Sequence, residues 1–435
     1  MRLAWFSPLP PVRSGVADYS ADVLPRLDHN WLVDTYVQQA PIGPRSFSAH
    51  DFVWRNRLEP YDLVVYQIGN APCHDYMWAY LAQYPGLVVL HDARLHHARA
   101  RSLLRGGRAD AYRAEFRFDH PDTSPDFAEY AVEGLGGPIY YFWSMLRVVM
   151  TTARTIAVHN PRVAADLRDA YPGVIVETIR MGVAEMFGAA SSGEAARVRH
   201  ELGIPDAAVV FTAFGKITAE KRISPILRAF GRLLEEGVNA YLLLVGDADE
   251  YDAIERETAV FDRVRITGHV PDAGVGAYLA ASDVCLCLRW PTAQETSASW
   301  LRCLAAARPT VITALAHLVD VPAVEPRLWR RTRPSRAPVV VSIDLLDEDA
   351  SLLAAMARLA ADRRLREELG RAGHEHWARE HTLEGMVIDY ERVLRLAAER
   401  DAPVPTDLPP HFRNTYSQGA RRIARELGLS LDLLG

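Results

Sequence analysis

A chain of 435 residues that is 49% hydrophobic and 24% charged, with a formal net charge of −6, has the composition of a globular protein. Its length exceeds what one ordinary core holds, so we expect two domains of about 200 residues. The acidic balance disfavours a nucleic-acid partner. No apolar run reaches the roughly 18 residues that span a bilayer, and Pro8 interrupts the N-terminus too early for a secretory signal.

Short apolar runs in the first half of the chain predict strands. They lack polar alternation, which is typical of strands buried on both faces of a parallel sheet. Longer mixed segments between them predict helices, such as 17–27, and therefore βαβ units. The predicted strands are 2–6, 32–37, 63–67, 87–91, 155–159 and 174–180.

The small and flexible segment 188–193 predicts a linker, after which the same pattern restarts. Residues 350–400 have helical periodicity, 401–410 form a proline-rich extended linker, and 418–427 predict a short amphipathic helix. The second set of predicted elements comprises strands 209–214, 241–246, 264–268, 284–289, 310–313 and 338–343 with helices 223–236 and 298–307.

These elements predict two Rossmann-like, doubly wound α/β domains that face each other across a cleft, with a helical C-terminal end. The expected boundaries are 1–187 for the N-terminal domain and 194–385 for the C-terminal domain. Residues 386–400 are expected to form a C-terminal helix, and its return to the N-terminal domain is left open. Residues 401–435 are expected to form a tail.

Only two of the 49 basic residues are lysines, and Lys216 and Lys221 lie five residues apart. Random placement would bring two lysines this close about 2% of the time, so chance stays open as an alternative. They follow the predicted strand 209–214 and Gly215, and doubly wound sheets bind ligands outside the carboxyl ends of strands. Two ammonium groups there would stabilise the charge that grows on a departing diphosphate, without a metal. The alternative is a pair of surface lysines.

Two further strand ends carry candidate residues. Gly15 begins the predicted helix after the first strand, where a phosphate or sugar can approach its backbone N–H; it is otherwise an ordinary turn glycine. Glu295 precedes a helix that we expect to start near Thr296. Its carboxylate can accept two hydroxyls of one sugar while the N–H groups of Thr296 and Ser297 meet a phosphate. The alternative is that Glu295 only favours the helix dipole.

Together these turns resemble the GT-B glycosyltransferases of the family-four type, also called group 1. The resemblance covers about residues 1–400 and rests on the order and spacing of its motifs. The motifs are Ser-Pro-Leu-Pro-Pro-Val-Arg-Ser-Gly-Val-Ala-Asp-Tyr-Ser at 7–20, Tyr-Gln-Ile-Gly-Asn at 66–70, Leu-His-Asp at 90–92, Gly-Lys-Ile-Thr-Ala-Glu-Lys at 215–221, Leu-Val-Gly-Asp at 244–247, Thr-Gly-His-Val at 267–270, and Leu-Arg at 288–289 with Glu-Thr-Ser at 295–297.

The resemblance implies a retaining, metal-independent, hexosyltransferase-like enzyme without a resident cofactor. Its donor would be a UDP- or GDP-linked sugar held mainly by the C-terminal domain, and its acceptor a carbohydrate, lipid-linked or small-molecule hydroxyl. The hydroxyl would attack the face of the sugar from which the diphosphate leaves. The product would belong to polysaccharide, glycolipid or glycoconjugate synthesis.

The resemblance also implies roles for individual residues. Gly15, Gly215, Lys216 and Lys221 would contact the diphosphate. The residues near the nucleotide base would be His269 and Val270. The residues near the donor sugar and its phosphate would be Glu295, Thr296 and Ser297. The residues that face the acceptor would be Asn70, His74, His91 and Asp92, and His91 would also face the donor sugar.

One departure from the family pattern leaves a second function open. The family has a Glu-x7-Glu pair whose second glutamate binds the ribose, but eight residues after Glu295 stands Cys303, and eight after Gln294 stands Arg302. The alternative is therefore a catalytically silent homologue that acts as a scaffold or regulatory partner. A phosphorylase or nucleotide-sugar epimerase of the same fold has no specific motif here.

Asp247 and Asp249 match the spacing of the metal-binding Asp-x-Asp of the other glycosyltransferase class. Two consecutive α/β halves argue against that class, so we predict a loop and no metal. The cysteines, for which no second ligand pair stands nearby, are expected to be reduced thiols in a cytoplasmic protein. They are Cys73, Cys285, Cys287 and Cys303.

Two basic stretches are expected to be solvated surface. The alternative for the first is contact with an anionic lipid head group or lipid pyrophosphate, with the protein peripheral at the inner membrane surface. The first stretch contains Arg94, His96, His97, Arg99, Arg101, Arg105 and Arg108, and the second contains Arg327, Trp329, Arg330, Arg331, Arg333 and Arg336.

Overall fold

The computed structural model describes residues 1–27, 31–137, 139–186, 188, 192–248, 262–413 and 417–428. The chain divides into two compact units. Unit 1 consists of Met1–Thr178 and Tyr390–Gly435, and unit 2 of Ile179–Asp389. The division falls inside one helix, Leu383–Ala398.

Unit 1 is built on a parallel sheet of apolar strands. Its strands are β1 (Arg2–Phe6), β2 (Leu32–Val37), β3 (Ser46–Ser48), β4 (Leu63–Ile68), β5 (Leu87–Leu90), β6 (Thr155–Val158) and β7 (Val176–Thr178). Their order is β3-β2-β1-β4-β5-β6-β7, and neighbouring strands run parallel. Every residue of β4, β5 and β6 is buried, as expected when helices cover both faces.

The helices of unit 1 connect these strands and close the unit. They are α1 (Gly15–Val23), α2 (Phe52–Leu58), α3 (Met77–Gln83), α4 (His96–Leu104), α5 (Ala109–Asp119), α6 (Asp126–Val132), α7 (Ile139–Phe142), α8 (Arg147–Thr152) and α9 (Pro161–Ala170). The predicted helix 17–27 ends as α-helix at Val23, because Pro25 lacks the N–H that the next turn needs and a short 3₁₀ turn, Leu24–Arg26, follows.

An aromatic cluster fills the core beneath β1. The Phe6 ring lies 5.0 to 5.1 Å from the rings of Tyr36, Phe52 and Tyr66. Contacts of this kind add to the free energy gained by burying the rings themselves. They join β1, β2, β4 and α2 into one packed layer.

Unit 2 repeats the same architecture. Its strands are β8 (Val209–Phe214), β9 (Ala240–Val245), β10 (Val264–Ile266), β11 (Val284–Cys287), β12 (Thr310–Thr313), β13 (Ala323–Glu325), β14 (Arg330–Arg331) and β15 (Val340–Ile343). The order is β10-β9-β8-β11-β12-β15-β13-β14, and only the pair β13–β14 is antiparallel among the described strands. The first five positions of each sheet thus follow the doubly wound order 3-2-1-4-5.

The helices of unit 2 lie before the first of these strands, between them and after the last one. They are α10 (Ser192–Glu201), α11 (Ile223–Glu235), α12 (Asp272–Ala281), α13 (Ala298–Ala305), α14 (Glu348–Ala361), α15 (Arg363–Glu380) and α16 (Leu383–Ala398). The predicted helical stretch 350–400 is therefore three helices, and Asp362 begins the second of them by accepting a hydrogen bond from the Leu365 N–H.

The chain after α16 packs on unit 1 and ends in α17 (Pro410–Arg413) and α18 (Ser417–Glu426). Leu408 and Phe412 are buried in the unit 1 core. The Gln83 amide donates a hydrogen bond to the Phe412 carbonyl at 2.9 Å, and His411 contacts Glu115 at 2.7 Å. Part of the predicted tail is thus an ordered component of unit 1.

The expectation that the first basic stretch is solvated surface is wrong for its central residues. Arg99 is only 3% exposed, and its guanidinium pairs with the buried Glu115. Arg101 pairs with Asp75 at 3.2 Å. A buried charge must be paired, and sequence spacing alone does not reveal a partner 16 residues away.

The prediction of two doubly wound α/β domains with a helical C-terminal region is confirmed. Strands 2–6, 32–37, 209–214 and 310–313 have the predicted bounds. Three short strands were not predicted because they have two or three residues and no apolar run: β3, β13 and β14. The predicted linker 188–193 lies mostly outside the described residues, and α10 begins within it.

Within the described ranges, no helix combines the length and the apolar composition that crossing a membrane requires.

Two glycines of α15 test the packing of unit 2. We expect Gly370→Ala to lower the free energy of unfolding by about 2 kcal/mol, because the new Cβ would lie 2.2 Å from the Ala307 carbonyl oxygen. Gly373→Ala is the matched control. Its Cβ would meet the Leu304 side chain, which can rotate away, and alanine favours the helix by about 1 kcal/mol. Urea unfolding measures both, and equal losses of stability would contradict this account.

Candidate functional site

A pocket of about 40 Å³ lies in unit 2 at the carboxyl ends of β8 and β11. The strand order reverses direction between these two strands, and ligands of doubly wound sheets bind at such a switch point. The volume holds a small group or a few water molecules, so only part of a large ligand would enter. The polar residues that line the pocket are Lys221, Arg289, Thr292, Glu295, Ser297, Ser299, Thr313 and His317.

Lys221 provides an ammonium group to this pocket. It ends the 3₁₀ turn Ala219–Lys221, and its Nζ donates a hydrogen bond to the Phe214 carbonyl at 2.6 Å. Burial of the ammonium, reinforced by the positive charge of Arg289, lowers the pKa of Lys221 to about 7. The pocket therefore contains a cation whose protonated state an incoming anion would stabilise.

Gly215 gives the Lys221 side chain the space to lie across the end of β8. Its φ is +92°, a conformation that glycine adopts without strain. A Cβ at this position would lie 2.6 Å from Lys221 Nζ and 2.8 Å from Ser299 Oγ. The backbone angle therefore favours glycine at this position, and a side chain there would displace the Lys221 ammonium.

The loop after β11 folds back to present Glu295 to the pocket. Thr292 Oγ1 accepts a hydrogen bond from the Gln294 N–H and donates one to Glu295 Oε2, both at 2.9 Å. Gln294 has a φ of +61°, which a turn of this tightness requires. The Trp290 N–H donates to the Glu220 carbonyl at 2.7 Å, so the loop is tied to the turn that carries Lys221.

Glu295 forms an ion pair with Arg289, which the sequence analysis did not single out. Arg289 Nε lies 2.8 Å from Glu295 Oε1, and the two side chains are 30% and 16% exposed. The Arg289 N–H donates to Thr313 Oγ1 at 3.0 Å. Both carboxylate oxygens of Glu295 therefore have partners, Arg289 on one and Thr292 on the other.

The helix after this loop begins at Ala298, two residues later than the predicted start near Thr296. Ser297 is its N-cap and accepts a hydrogen bond from the Trp300 N–H at 3.2 Å. Ser297 and Ser299 line the pocket, so the first turn of α13 provides backbone N–H groups beside it. Thr296 is half-buried and is not among the lining residues.

The other residues predicted to bind the donor lie outside this pocket. Lys216 is exposed and does not line it, so the lysines are not arranged as a facing pair. His269 is also exposed. Val270 is half-buried and packs in an apolar cluster with Phe214 and Cys287.

The residues that stand where the second glutamate was sought do not supply a carboxylate. Cys303 is fully buried, and its sulfur lies 3.9 Å from that of Cys287. Arg302 forms an ion pair with Asp272 at the start of α12. Asp272, which lies two residues after Val270, is therefore paired with Arg302.

The predicted Asp-x-Asp loop is only half described. The Asp247 carbonyl accepts a hydrogen bond from the Ile217 N–H at 2.8 Å, and Asp249 lies outside the described residues. Among the residues with a described position, no group of three or more histidine, cysteine, aspartate or glutamate side chains is arranged to hold a metal ion.

Unit 1 gathers the predicted acceptor-side residues at the carboxyl ends of β4 and β5. A Cβ on Gly69 would lie 3.1 Å from Asp92 Oδ2, 3.4 Å from His74 Nε2 and 3.6 Å from His91 Cβ. The Asn70 N–H donates to Asp92 Oδ2 at 2.7 Å. All four predicted residues are therefore neighbours around Gly69.

His91 is a neutral, internally bonded histidine. Its Nε2 lies 2.8 Å from Gln67 Oε1, and its Nδ1 lies 3.3 Å from His159 Nε2. Burial is the main cause that lowers its pKa well below the usual value, and the nearby His159 and His74 add to this effect. Both ring nitrogens of His91 thus have protein partners, which the strand-end pattern did not predict.

Asn70 and His74 are also engaged by unit 1. The Asn70 amide donates to the Arg94 carbonyl at 2.7 Å and accepts from the Ala98 N–H at 3.2 Å, so it holds the start of α4. His74 Nδ1 donates to the Gln67 carbonyl at 2.8 Å. Burial lowers the pKa of His74 to about 4, so its ring is neutral at pH 7.

Gly15 opens α1 after Ser14, whose hydroxyl accepts a hydrogen bond from the Val16 N–H at 3.3 Å. A Cβ at Gly15 would meet no atom of the described structure within 4 Å. The fold itself therefore does not demand glycine here.

The residues that sequence reasoning missed in the unit 2 pocket are Arg289, Thr292, Trp300 and His317. Each follows the carboxyl end of β11 or β12 by at most a few residues or lies in the first turn of α13. The strand-end rule would have selected Arg289, but arginine is so common in this chain that its identity gave no signal.

The low pKa of Lys221 can be observed directly because the chain has two lysines. Dimethylation of the amines with ¹³C-formaldehyde gives NMR signals for Lys216, Lys221 and the N-terminus. Lys216→Arg and Lys221→Arg assign them. We expect the Lys221 signal to titrate near pH 7, and a midpoint near 10 would show that the ammonium is not buried in solution.

Comparison with known proteins shows which family part of the chain resembles in sequence. Residues 208–327 match the sequence profile of the family described as "Glycosyl transferases group 1". Over 182 residues the chain is 31% identical to the lipopolysaccharide core biosynthesis glycosyltransferase LpsD of Rhizobium meliloti, a match that covers 41% of this chain and 46% of that protein. The chain thus spans about half the length of the curated relative it matches.

Solved structures extend the similarity to both units. Sucrose-phosphate synthase from Thermosynechococcus elongatus superposes with a TM-score of 0.63 at 15% identity, over 91% of this chain and 98% of that one. HepE from Anabaena, in complex with UDP and glucose, gives a TM-score of 0.62 at 12% identity, over 91% and 100%. At such identities the likeness shows the fold. Residues 208–327 therefore resemble the group 1 glycosyl transferases in sequence, and the chain has the GT-B fold over the 91% that these structures cover.

Proposed function

We propose that the protein is a retaining, metal-independent glycosyltransferase. It moves a sugar from a nucleotide-diphosphate sugar to a hydroxyl of a carbohydrate, lipid-linked or small-molecule acceptor. The observation that carries this proposal is one pocket that contains a buried ammonium, a carboxylate and a helix N-terminus: Lys221, Glu295 and Ser297.

The charges in the pocket suit a diphosphate leaving group. As the bond from sugar to phosphate breaks, negative charge grows on the diphosphate, and a preorganised cation in a site of low polarity stabilises it strongly. Lys221 and the N–H groups of the first turn of α13 supply such positive charge. In this proposal Gly215 allows the close approach, and the exposed Lys216 contacts the outer part of the diphosphate.

The acceptor side of the proposal lies in unit 1. Asn70, His74, His91 and Asp92 surround Gly69, and Asp92 is partly exposed. Because the hydrogen bonds of His91 and Asn70 are made inside unit 1, we assign them to shaping the site and Asp92 to meeting the acceptor. Gly15 keeps its proposed backbone contact with the donor.

The named relatives support a proposal for the substrate class. LpsD is named for lipopolysaccharide core biosynthesis, and HepE is described with UDP and glucose. We therefore propose a UDP- or GDP-linked hexose as donor and a glycolipid, polysaccharide or other glycoconjugate as product.

The second candidate is a catalytically silent homologue that acts as a scaffold or regulatory partner. Arg302 and Cys303 in place of the second glutamate favour it, as does the engagement of both ring nitrogens of His91. Such a protein would bind a nucleotide or none, and it would not release nucleoside diphosphate from a sugar nucleotide.

A nucleotide screen distinguishes the two functions. We expect UDP or GDP to raise the melting temperature of the native protein, and Lys221→Ala to abolish the shift. With the matching sugar nucleotide and an acceptor, Lys221→Ala should lower kcat about 10²-fold, as should Lys216→Ala. Arg330→Ala, an exposed residue of β14, is the control and should change neither.

The outcomes of this screen separate the proposals. Binding and turnover that persist in excess EDTA support the metal-independent transferase. Binding without release of nucleoside diphosphate supports the silent homologue. Near-wild-type turnover in both lysine variants would remove the diphosphate assignment.

The pKa of Lys221 gives a pH signature for nucleotide binding. A diphosphate stabilises the protonated ammonium, so binding at pH 8 should take up as much as about 0.9 proton per nucleotide if the free pKa is about 7. Affinity should therefore fall as the pH rises above 7. Isothermal titration in buffers of different ionisation enthalpy measures the uptake. Lys221→Arg, which does not titrate, should show none.

A further inference from the structure

We propose that Arg289 is a phosphate-binding residue of the unit 2 pocket, that Glu295 positions it, and that the pair makes the site selective for nucleoside diphosphates over monophosphates. The inference rests on the proposed function, because it identifies a further binding residue of the same site.

The position of Arg289 is determined by its backbone and by its carboxylate partner. It follows β11 at the switch point of the sheet, and its N–H is bonded to Thr313 Oγ1. Its guanidinium lines the pocket that Lys221 also lines. The side chain is 30% exposed, so it reaches both the interior of the pocket and the solvent.

Glu295 holds one edge of the guanidinium. Its Oε1 lies 2.8 Å from Arg289 Nε, and its Oε2 accepts the Thr292 hydroxyl at 2.9 Å. A carboxylate with both oxygens engaged is held in one orientation. Glu295 therefore orients the Arg289 side chain.

The other edge of the guanidinium is oriented for a ligand. Arginine has five N–H donors, four of them on the two terminal nitrogens. In the part of the chain that the structure describes, those terminal nitrogens make no hydrogen bond. A planar fork with one edge fixed suits two phosphate oxygens better than an ammonium does.

The balance of charge in the pocket also favours a second phosphate. Lys221 and Arg289 are close enough that the guanidinium lowers the pKa of the ammonium, and only one lining carboxylate, Glu295, opposes them among the described residues. One phosphate satisfies one cation. A diphosphate provides a partner for each, so the second phosphate adds binding free energy that a monophosphate lacks.

The test compares nucleotides on matched variants by isothermal titration or by competition. The probes are UDP, UMP and UDP-glucose, with GDP, GMP and GDP-mannose if the uridine series does not bind. The variants are Arg289→Gln, Arg289→Lys and Glu295→Gln. The control is Arg302→Gln, which also removes an ion-paired arginine from unit 2 but lies outside the pocket.

We expect Arg289→Gln to lower the affinity for UDP at least tenfold and the affinity for UMP less than threefold. The affinity of Arg289→Lys for UDP should lie between those of Arg289→Gln and the native protein, because lysine keeps the positive charge but lacks the planar guanidinium fork. Glu295→Gln should lower the affinities for UDP and for UDP-glucose by the same factor, since it removes the ion pair that orients Arg289. Arg302→Gln should bind as the native protein does. The melting temperature of each variant reports folding, and Arg289→Lys serves as the variant with the smaller structural change.

Three results would overturn the proposal while leaving the glycosyltransferase function intact. They are native UDP affinity in Arg289→Gln, equal losses for UDP and UMP, and a Glu295→Gln effect confined to UDP-glucose, which would make Glu295 a sugar ligand. If the native protein binds none of the six nucleotides, the proposed function fails and the inference fails with it.

Discussion

The chemistry of unit 2 depends on one hydrogen bond, from the Lys221 ammonium to the Phe214 carbonyl. It holds a cation against the end of β8, where water is scarce enough to lower the pKa of Lys221 to about 7. Gly215 is favoured because its φ is +92°, and a side chain there would displace that ammonium. Arg289 adds a second positive charge, and Glu295 is the one carboxylate among the described residues that line the pocket.

The two sheets have the same order over their first five strands but different side chains at the carboxyl ends of their strands. In unit 2 the loops after β8 and β11 bring charged groups together around a pocket. In unit 1 the segments after β4, β5 and β6 carry buried histidines that bond to Gln67 and to each other. Burial lowers the pKa of His74 and of His91 and so favours their neutral forms. Asp92 is left as the partly exposed ionisable group among the predicted acceptor-side residues.

Much of the fold could be predicted from the sequence, because strands buried on both faces must be continuous apolar runs. The wrong predictions concern elements to which that rule does not apply. β3 and β14 are short and partly exposed, and β14 consists of two exposed arginines. Arg99 was expected on the surface and is buried against Glu115, because an ion pair between separate helices leaves no local pattern in the sequence.

The candidate site was predictable in part and for a definite reason. Lys221 and Glu295 were selected because they follow predicted strands, and the pocket contains both. Lys216 was selected by the same rule, but its side chain is exposed and outside the pocket. Position after a strand brings a residue to the correct edge of the sheet, whereas the direction of its side chain depends on the turn that follows.

The sequence by itself determined the fold class, the strand ends that carry the candidate residues and the resemblance to group 1 glycosyltransferases, because these depend on apolar periodicity and on local motifs. Only the tertiary structure decided which side chains meet. It placed Arg289 beside Glu295, buried the ammonium of Lys221 and engaged both ring nitrogens of His91. Those outcomes depend on contacts between distant strands and on loss of solvent, and neither is visible in a linear order of residues.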